Sequence, residues 1–280
     1  MNVAITGASG FLGRALSERL RADGNSVTSI SLRTQPSPEV LAGCQAVVNL
    51  AGEPVARRWT AAARERISNS RIQGTRSLVD ALRRHPPAVL VSASAVGYYG
   101  SRGDEILTED SPPAPDFLGQ LAVGWEREAR AAEQFGVRVV TPRIGVVLGR
   151  GGGALEQMLL PFRLGVGGRL GTGTQWMSWI ALDDLVSLIE FAIEDAAVNG
   201  PVNAVAPNPV TNAVFTRELA AALHRPAIFP VPAFALKILF GEMSQILLGG
   251  QRVIPQAALR AGFQFHFADL GQALRQAIAG

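Results

Sequence analysis

The sequence is poor in several residues that particular functions require. Its 280 residues include a single cysteine, Cys44, which excludes an internal disulfide and favours a reducing compartment. Its three histidines lack the spacing of metal ligands, so no metal site is predicted. The chain has two tyrosines, Tyr98 and Tyr99, and one lysine, Lys237. This last scarcity limits the catalytic chemistry that the chain can perform.

Long hydrophobic runs and a strong net charge are also absent. No uninterrupted apolar stretch reaches membrane-spanning length, and the first apolar run is short, so neither a membrane span nor a signal sequence is predicted. The net charge is +3 and the basic residues are scattered, which does not indicate nucleic-acid binding. We therefore expect a cytoplasmic globular protein, monomeric or homodimeric. Its expected partner is a small-molecule substrate, and neither a nucleic acid nor a membrane.

The first thirteen residues, MNVAITGASGFLG, have the pattern of a phosphate-binding turn. An apolar strand pattern ends at Thr6, glycines follow at Gly7, Gly10 and Gly13, and a helical pattern begins at Phe11. Glycines let the backbone approach a phosphate, and the free N–H groups of the first helical turn point at it. The strand, turn and helix predict a dinucleotide site, and the alternative is a glycine-rich turn without a ligand.

The second predicted strand, Ser26 to Leu32, ends at Arg33. In a dinucleotide fold, the residue at this strand end reads the adenosine ribose, and an acidic residue there binds the 2′-hydroxyl of NAD. No Asp or Glu occurs between Ser26 and Pro38, whereas an arginine suits the 2′-phosphate of NADP. The sequence therefore favours NADP(H) over NAD(H), unless Arg33 is only an exposed loop residue.

Strand and helix patterns alternate through the first 150 residues. This predicts an α/β fold, a Rossmann-type doubly wound parallel sheet, with residues 1–150 and 183–200 forming the NAD(P)-binding domain. Residues 151–280 are predicted to form a small C-terminal α+β substrate cap, with glycine-rich loops at 151–153 and 165–173 over the cleft. The segment from Arg33 to Ala46 is too short for a strand and a helix, so one strand of the usual set is expected to be absent.

Two further segments have the pattern of ligand contacts. The buried strand from Ala46 ends in the small residues of Ala51 and Gly52, where a flat ligand can lie against the backbone. The helix predicted from Thr60 to Arg84 carries several arginines, most of them expected on a solvated face. Arg71 is the one that could turn toward the cofactor phosphates.

Strings along nearly the whole chain resemble one group of proteins. It is the atypical, extended short-chain dehydrogenase/reductase group, the NAD(P)-binding "epimerase family" with a characteristic extra C-terminal segment. The strings are TGASGFLG at 6–13, NLAGEP at 49–54, RRWT at 57–60, SASAVGYYG at 92–100, RIGVVLGRGGGAL at 143–155, LPFRLGVGGRLGTG at 160–173 and GGQRVIPQ at 249–256. Relatives commonly place the arginine of the second strand one position earlier, where this chain has Leu32.

The resemblance implies a set of cofactor contacts. It places the diphosphate over the first glycine turn, the ribose and adenine near the second and third strands, and the nicotinamide near Val147. The residues implied are Thr6, Gly7, Ser9, Gly10, Phe11, Leu12, Ser31, Arg33, Leu50, Ala51, Gly52, Arg66, Arg71, Ser92 and Val147.

The resemblance also implies that the usual catalytic tyrosine and lysine are missing from this chain. The standard reductases of this superfamily use a serine with a tyrosine and lysine pair, and the lysine lowers the pKa of the tyrosine. The pair should lie near 117–123, but that segment reads FLGQLAV, so the standard pair is excluded. Ser94 occupies the position of the superfamily serine, and Tyr98 or Tyr99 could supply a phenol, with a charge from Arg143. The alternative for the two tyrosines is packing of their loop beneath the cap.

Two functions are consistent with these residues. The first is an NADP(H)-dependent oxidoreductase or epimerase-like enzyme of unknown substrate, with Ser94 and Tyr98 as catalytic residues in place of the standard pair. The second is a non-catalytic NADP(H)-binding module with a regulatory or partner-binding role. The histidines are expected to be structural.

Overall fold

The computed structural model describes residues 1–279, which contain thirteen strands and ten α-helices. The strands are β1 Asn2–Thr6, β2 Ser26–Ile30, β3 Ala46–Asn49, β4 Val89–Ser92, β5 Ser94–Ala95, β6 Ile106–Leu107, β7 Arg138–Ile144, β8 Val146–Leu148, β9 Trp176–Met177, β10 Trp179–Ala181, β11 Gly200–Ala204, β12 Val210–Thr211 and β13 Arg252–Val253. The helices are α1 Phe11–Ala22, α2 Ala61–Leu82, α3 Phe117–Arg130, α4 Gly153–Arg163, α5 Leu182–Glu194, α6 Asn212–Leu223, α7 Ala233–Phe240, α8 Ser244–Leu248, α9 Gln256–Arg260 and α10 Leu270–Ala279.

A parallel sheet in the order β11-β7-β4-β3-β1-β2 forms the centre of the molecule, and the short β5 also pairs with β7. Its central strands are runs of valine, isoleucine and alanine that are buried on both faces, as parallel strands covered by helices are. Helices α1 and α5 pack on one face, and α2 and α3 on the other. The prediction of a doubly wound Rossmann-type fold is therefore confirmed.

The predicted gap in the sheet is also present. Only one short 3-10 helix, Pro38–Leu41, lies between β2 and β3, so β2 forms the edge of the sheet. The predicted end of β2 was wrong, because the strand stops at Ile30 and not at Leu32. Residues 31–33 therefore lie beyond the strand. Arg33, which stands one position later than the arginine of relatives, therefore lies in a loop. Side chains alternate between the two faces only within a strand, so this shift does not turn Arg33 to the opposite face.

The chain breaks between β7 and β8 at Gly145, the one residue that separates the two strands. A Cβ at Gly145 would lie 2.5 Å from the carbonyl oxygen of Ser178, so the chain passes too close for a side chain here. Beyond the break, β8 leaves the central sheet and pairs with β10. Helix α4, which follows the first glycine loop, was not predicted.

The second half of the chain builds its own core and also contributes to the sheet. Leu155, Trp179, Phe215 and Leu274 form the centre of a cluster that joins α4, β10, α6 and α10. In contrast, α5 packs against the central sheet and β11 extends it. The sheet and its covering helices therefore include residues up to Ala204. The division into two domains remains a prediction. Within residues 1–279, no helix combines the length and apolar character needed to cross a membrane.

Candidate functional site

The turn between β1 and α1 has a backbone that approaches its neighbours too closely for side chains. Gly7 has φ of +69°, and a Cβ there would lie 2.9 Å from the carbonyl carbon and oxygen of Leu50. A Cβ at Gly13 would collide with the carbonyl oxygen of Gly7. These two glycines hold the turn close to both β3 and α1, which is the geometry that a bound phosphate requires.

The amino terminus of α1 is open to an anion. Gly10 is the N-cap residue and supplies no side-chain cap, and no acidic residue lies in the first turn. Ser9 and Gly10 are exposed, while Phe11 and Leu12 are half-buried. The first N–H groups of α1 therefore have no partner within their own helix, and together with the helix dipole they favour a negative ligand.

A buried hydrogen-bond network fixes the loop that follows β3. The Thr6 hydroxyl donates to Asn49 Oδ1 at 2.6 Å and accepts from the backbone N–H groups of Leu50 at 3.1 Å and Ala51 at 3.2 Å. The amide of Asn49 donates to Ser92 Oγ at 3.1 Å. Because Thr6, Asn49 and Ser92 are fully buried, these side chains support the loop after β3 from beneath. Sequence reasoning missed Asn49, although a buried polar residue at a strand end was a visible signal.

Arg71 lies directly beneath the small-residue turn. Its guanidinium carbon would lie 3.1 Å from a Cβ at Gly52, and its Nη1 donates to the backbone carbonyl of Glu53 at 2.9 Å. Burial lowers the pKa of Arg71 to about 10, and the charge of Glu53 only partly offsets that effect. Within residues 1–279 Arg71 forms no ion pair. This uncompensated cation at the carboxyl edge of the sheet favours an anionic ligand.

The remaining predicted cofactor residues lie around the rim. Ser31 and Arg33 are exposed beyond the end of β2, and the Ser31 hydroxyl accepts from the Arg33 N–H at 3.2 Å. Arg66 is exposed on α2, whereas Arg71 on the same helix is half-buried. Val147 lies on β8 and is half-buried. The structure thus brings Arg71 to the small-residue turn at Gly52 and leaves Arg66 facing solvent.

Ser94 belongs to a second buried network. Its hydroxyl donates to Glu126 Oε1 at 2.7 Å. The same carboxylate accepts from Arg143 Nε at 2.8 Å and from Arg143 Nη2 at 2.9 Å, which is a bidentate pair between β7 and α3. Burial alone would lower the pKa of Arg143, but the hydrogen bonds and charge of Glu126 raise it overall. The hydroxyl proton of Ser94 is therefore held by Glu126.

The two tyrosines have different environments. Tyr99 is fully buried, and its hydroxyl donates to Asn203 Oδ1 at 2.6 Å and accepts from Arg143 Nη1 at 2.9 Å. Tyr98 is half-buried, with its ring 3.5 Å from the guanidinium carbon of Arg143. Within residues 1–279 the Tyr98 hydroxyl has no hydrogen-bond partner. Tyr99 therefore has a structural role, and Tyr98 presents a free phenol beside a cation.

Tyr99 is expected to resist ionisation. Burial raises the pKa of Tyr99 from 10.0 to about 12, although Arg143 opposes this. Stability from this shift is fully present below pH 10 and is lost as the pH rises toward 12, amounting to roughly 2 to 3 kcal/mol. In a Tyr98→Phe variant, Tyr99 is the sole tyrosine, so its ultraviolet absorbance reports it directly. Appearance of tyrosinate absorbance near pH 10 while circular dichroism remains native would contradict the burial.

The C-terminal segment packs against residues of the first half of the chain. Phe240, Met243 and Leu247 pack against Trp59 and the start of α3 in one apolar cluster. The segment is also fixed by an ion pair between Arg64 and Glu242. A cavity of about 290 Å³ lies beside this segment, between the loop at 101–104 and the loop at 172–176. The tyrosine loop, the C-terminal segment and this cavity therefore adjoin one another.

Comparison with known proteins agrees with this architecture. Residues 3–205 match the NAD dependent epimerase/dehydratase family, and residues 231–277 match a domain of unknown function, DUF1731. The chain is 40% identical to the "Epimerase family protein SDR39U1 homolog, chloroplastic" of Arabidopsis thaliana, over 98% of this chain and 86% of that protein.

Two solved structures are similar over nearly the whole chain. The crystal structure of human epimerase family protein SDR39U1 with NADPH has a TM-score of 0.92 and 38% identity, and the match covers 100% of both chains. The nucleoside-diphosphate sugar epimerase from Corynebacterium glutamicum has a TM-score of 0.83 and 35% identity, covering 99% of this chain and 58% of the other. The protein therefore belongs to the NAD-dependent epimerase/dehydratase family, in the atypical extended short-chain dehydrogenase/reductase group that carries an extra C-terminal segment.

Proposed function

We propose that this protein binds NADP(H) at the β1–α1 turn and exchanges hydride between it and a carbonyl or hydroxyl substrate. The observation that carries the catalytic part is the free hydroxyl of Tyr98 beside the charge of Arg143. The binding part is supported by the closely packed glycine turn, the open amino terminus of α1 and the uncompensated charge of Arg71. The human relative of 38% identity was crystallised with NADPH.

The residues of the site suit the parts of the cofactor in turn. The N–H groups of Phe11 and Leu12 and the guanidinium of Arg71 hold the diphosphate, while the Gly10 N–H donates to the Gly7 carbonyl and closes the turn. Gly52, Leu50 and Ala51 offer a flat backbone surface to the adenosine, and Ser31 and Arg33 lie at the ribose side. Val147, on β8, lies at the nicotinamide end. Thr6 and Ser92 act through Asn49, which holds the loop in position.

Arg33 is proposed to select NADP(H) through the 2′-phosphate. Replacing it by alanine should weaken NADPH binding about ten- to a hundred-fold and leave NADH binding unchanged, because a charged hydrogen bond contributes roughly 1.5 to 3 kcal/mol. Isothermal titration calorimetry with both cofactors measures this directly. Arg21→Ala, at an exposed arginine near the end of α1, is the matched control. An unchanged preference in Arg33→Ala would remove Arg33 from the site.

In the proposed reaction, bound NADP(H) supplies or accepts the hydride at the substrate carbon. Tyr98 gives a proton to the substrate oxygen when a carbonyl is reduced, and takes it when an alcohol is oxidised. Arg143, which is held by its bidentate pair with Glu126, lies against the ring face of Tyr98 and fixes the position of that ring. Ser94 is restricted to a different role. Since its proton is held by Glu126, its hydroxyl can accept a hydrogen bond from the substrate alcohol.

A non-catalytic NADP(H)-binding module is the second candidate. The observation that favours it is that the polar groups of Ser94, Tyr99 and Arg143 are hydrogen-bonded to one another and to other residues of the protein. This leaves the Tyr98 hydroxyl as the available polar group of the loop. The two functions are separated by incubating the NADPH-bound protein with a panel of ketones, aldehydes and keto acids while its reduced-nicotinamide absorbance is followed. Turnover that depends on Tyr98 supports the enzyme. Saturable NADPH binding without turnover of any panel member supports the module.

A further inference from the structure

Large apolar side chains are exposed on two segments of the second half of the chain. Eight of them lie at the end of α4 and just after it, in the loop before α7 and on α7 itself, with Phe229 and Ile238 exposing 68% and 72% of their surface. They are Leu160, Leu164, Val166, Ile228, Phe229, Phe234, Ile238 and Leu239. Single exposed apolar residues are ordinary, but a group of this size on neighbouring elements marks an interaction surface.

The two segments run side by side. Leu170 and Val231 form a parallel bridge, and the N–H of Val231 donates to the carbonyl of Arg169 at 2.8 Å. A Cβ at Gly168 would collide with the backbone of Phe229, so these strands of chain are in direct contact. We call the eight apolar residues and the basic residues among them the basic apolar patch.

The charge of the patch has one sign. Residues 157–182 and 219–241, which include all eight apolar residues, contain no Asp or Glu. Four cations within these segments are exposed and form no ion pair with any residue from 1 to 279, namely Arg163, Arg169, Arg225 and Lys237. The partner that complements this surface is apolar and carries negative charge.

We propose that the basic apolar patch docks onto the surface of an anionic lipid bilayer. A second copy of this chain would bring the same four cations into one symmetric interface without an acidic residue to pair them. A bilayer surface offers acyl chains to the apolar residues and anionic head groups to the cations. The sequence predicts no membrane partner because no apolar stretch is long enough to span a bilayer. Docking onto the bilayer surface needs no spanning segment.

Helix α7 has the arrangement that an interfacial helix requires. Phe234 and Ile238 are four residues apart, so they lie on one face of the helix and both are exposed. Lys237 adjoins them in sequence and is exposed. A lysine at the edge of an apolar face can bury its methylene groups while its charge meets a head group. Helix α7 is therefore expected to lie in the plane of the interface.

The test is co-sedimentation of the full-length protein with vesicles. Vesicles of equal parts phosphatidylcholine and phosphatidylglycerol are compared with vesicles of phosphatidylcholine alone, at low and high salt. We expect binding to the anionic vesicles, a reduction of about ten-fold or more in Phe234→Ser/Ile238→Ser and in Lys237→Glu, and weakening by salt. The control is Val40→Ser/Leu259→Ser, which changes two exposed apolar residues away from the patch and should bind as the parent does.

Three results would overturn the proposal. The first is failure of the parent protein to bind anionic vesicles at low salt. The second is equal binding by the parent and by Phe234→Ser/Ile238→Ser. The third is a dimer of the parent in light scattering that becomes a monomer in Phe234→Ser/Ile238→Ser, since a second copy would then cover the patch. Retention of NADPH by each variant shows that it is folded, and this readout is independent of any turnover.

Discussion

A Tyr98→Phe variant should lose turnover by about a hundred-fold or more, since a positioned proton donor contributes roughly 10²- to 10⁴-fold to the rate. Its affinity for NADPH should not change, because Tyr98 lies on the loop after β4 and not at the glycine turn. Removing this hydroxyl breaks no hydrogen bond among residues 1–279. The thermal unfolding midpoint should therefore stay close to that of the parent. Steady-state kinetics, calorimetry with NADPH and a thermal scan measure these three quantities.

Tyr99→Phe is the matched control, since the two tyrosines are adjacent in sequence and differ in environment. This change removes the hydrogen bond to the buried Asn203 Oδ1 and one of the hydrogen bonds of Arg143, which keeps its pair with Glu126, so the free energy of unfolding should fall by about 1 to 3 kcal/mol. If Tyr98→Phe turns over at the parental rate while Tyr99→Phe alone is inactive at a temperature where it is folded, Tyr98 is not the proton donor.

Replacing Gly7 by alanine should remove NADPH binding, with a loss of affinity on the order of a hundred-fold or more. A Cβ at this position meets the Leu50 carbonyl at 2.9 Å while the backbone holds φ of +69°, so the turn must move. The N–H groups of the turn and of α1 then lose their alignment with the diphosphate, and each lost charged hydrogen bond costs roughly 1.5 to 3 kcal/mol. Calorimetry with NADPH measures the effect.

Gly24→Ala separates this loss from the general cost of a side chain at positive φ. Gly24 has φ of +78° and follows the end of α1, but a Cβ added there would meet no atom within 4 Å. We expect this variant to lose about 1 kcal/mol of stability and to bind NADPH normally. Equal losses of NADPH affinity in the two variants would show that the close approach of Gly7 to Leu50 is not what forms the site.

The central sheet was accessible from the sequence because local pattern and tertiary packing agree there. The buried runs at Val3, Ala46 and Val89 are short, apolar and bounded by turns, which fits strands covered on both faces. The missing strand after β2 could be inferred from chain length alone. The break at Gly145 could not, because it is set by the approach of Ser178, which is distant in sequence. Helix α4 was missed because its glycine-rich flanks resemble loops.

Parts of the candidate site could likewise be predicted from the sequence, and other parts could not. The glycine turn is a local feature, so its residues could be predicted together with the helix that follows. The roles of Ser94 and the two tyrosines depend on Glu126, Arg143 and Asn203, which come from three other elements. Sequence reasoning identified the loop but could not tell which tyrosine is free. Periodicity likewise could not show that Arg71 faces the small-residue turn at Gly52 while Arg66 faces solvent.

Calorimetric titration of the parent protein with NADPH and NADH measures directly whether this chain binds NADP(H) at the β1–α1 turn. We expect one saturable site per chain, tighter binding of NADPH than of NADH, and loss of that site in Gly7→Ala but not in Gly24→Ala. Absence of NADPH binding by the folded parent, or a site that persists unchanged in Gly7→Ala, would contradict binding at this turn.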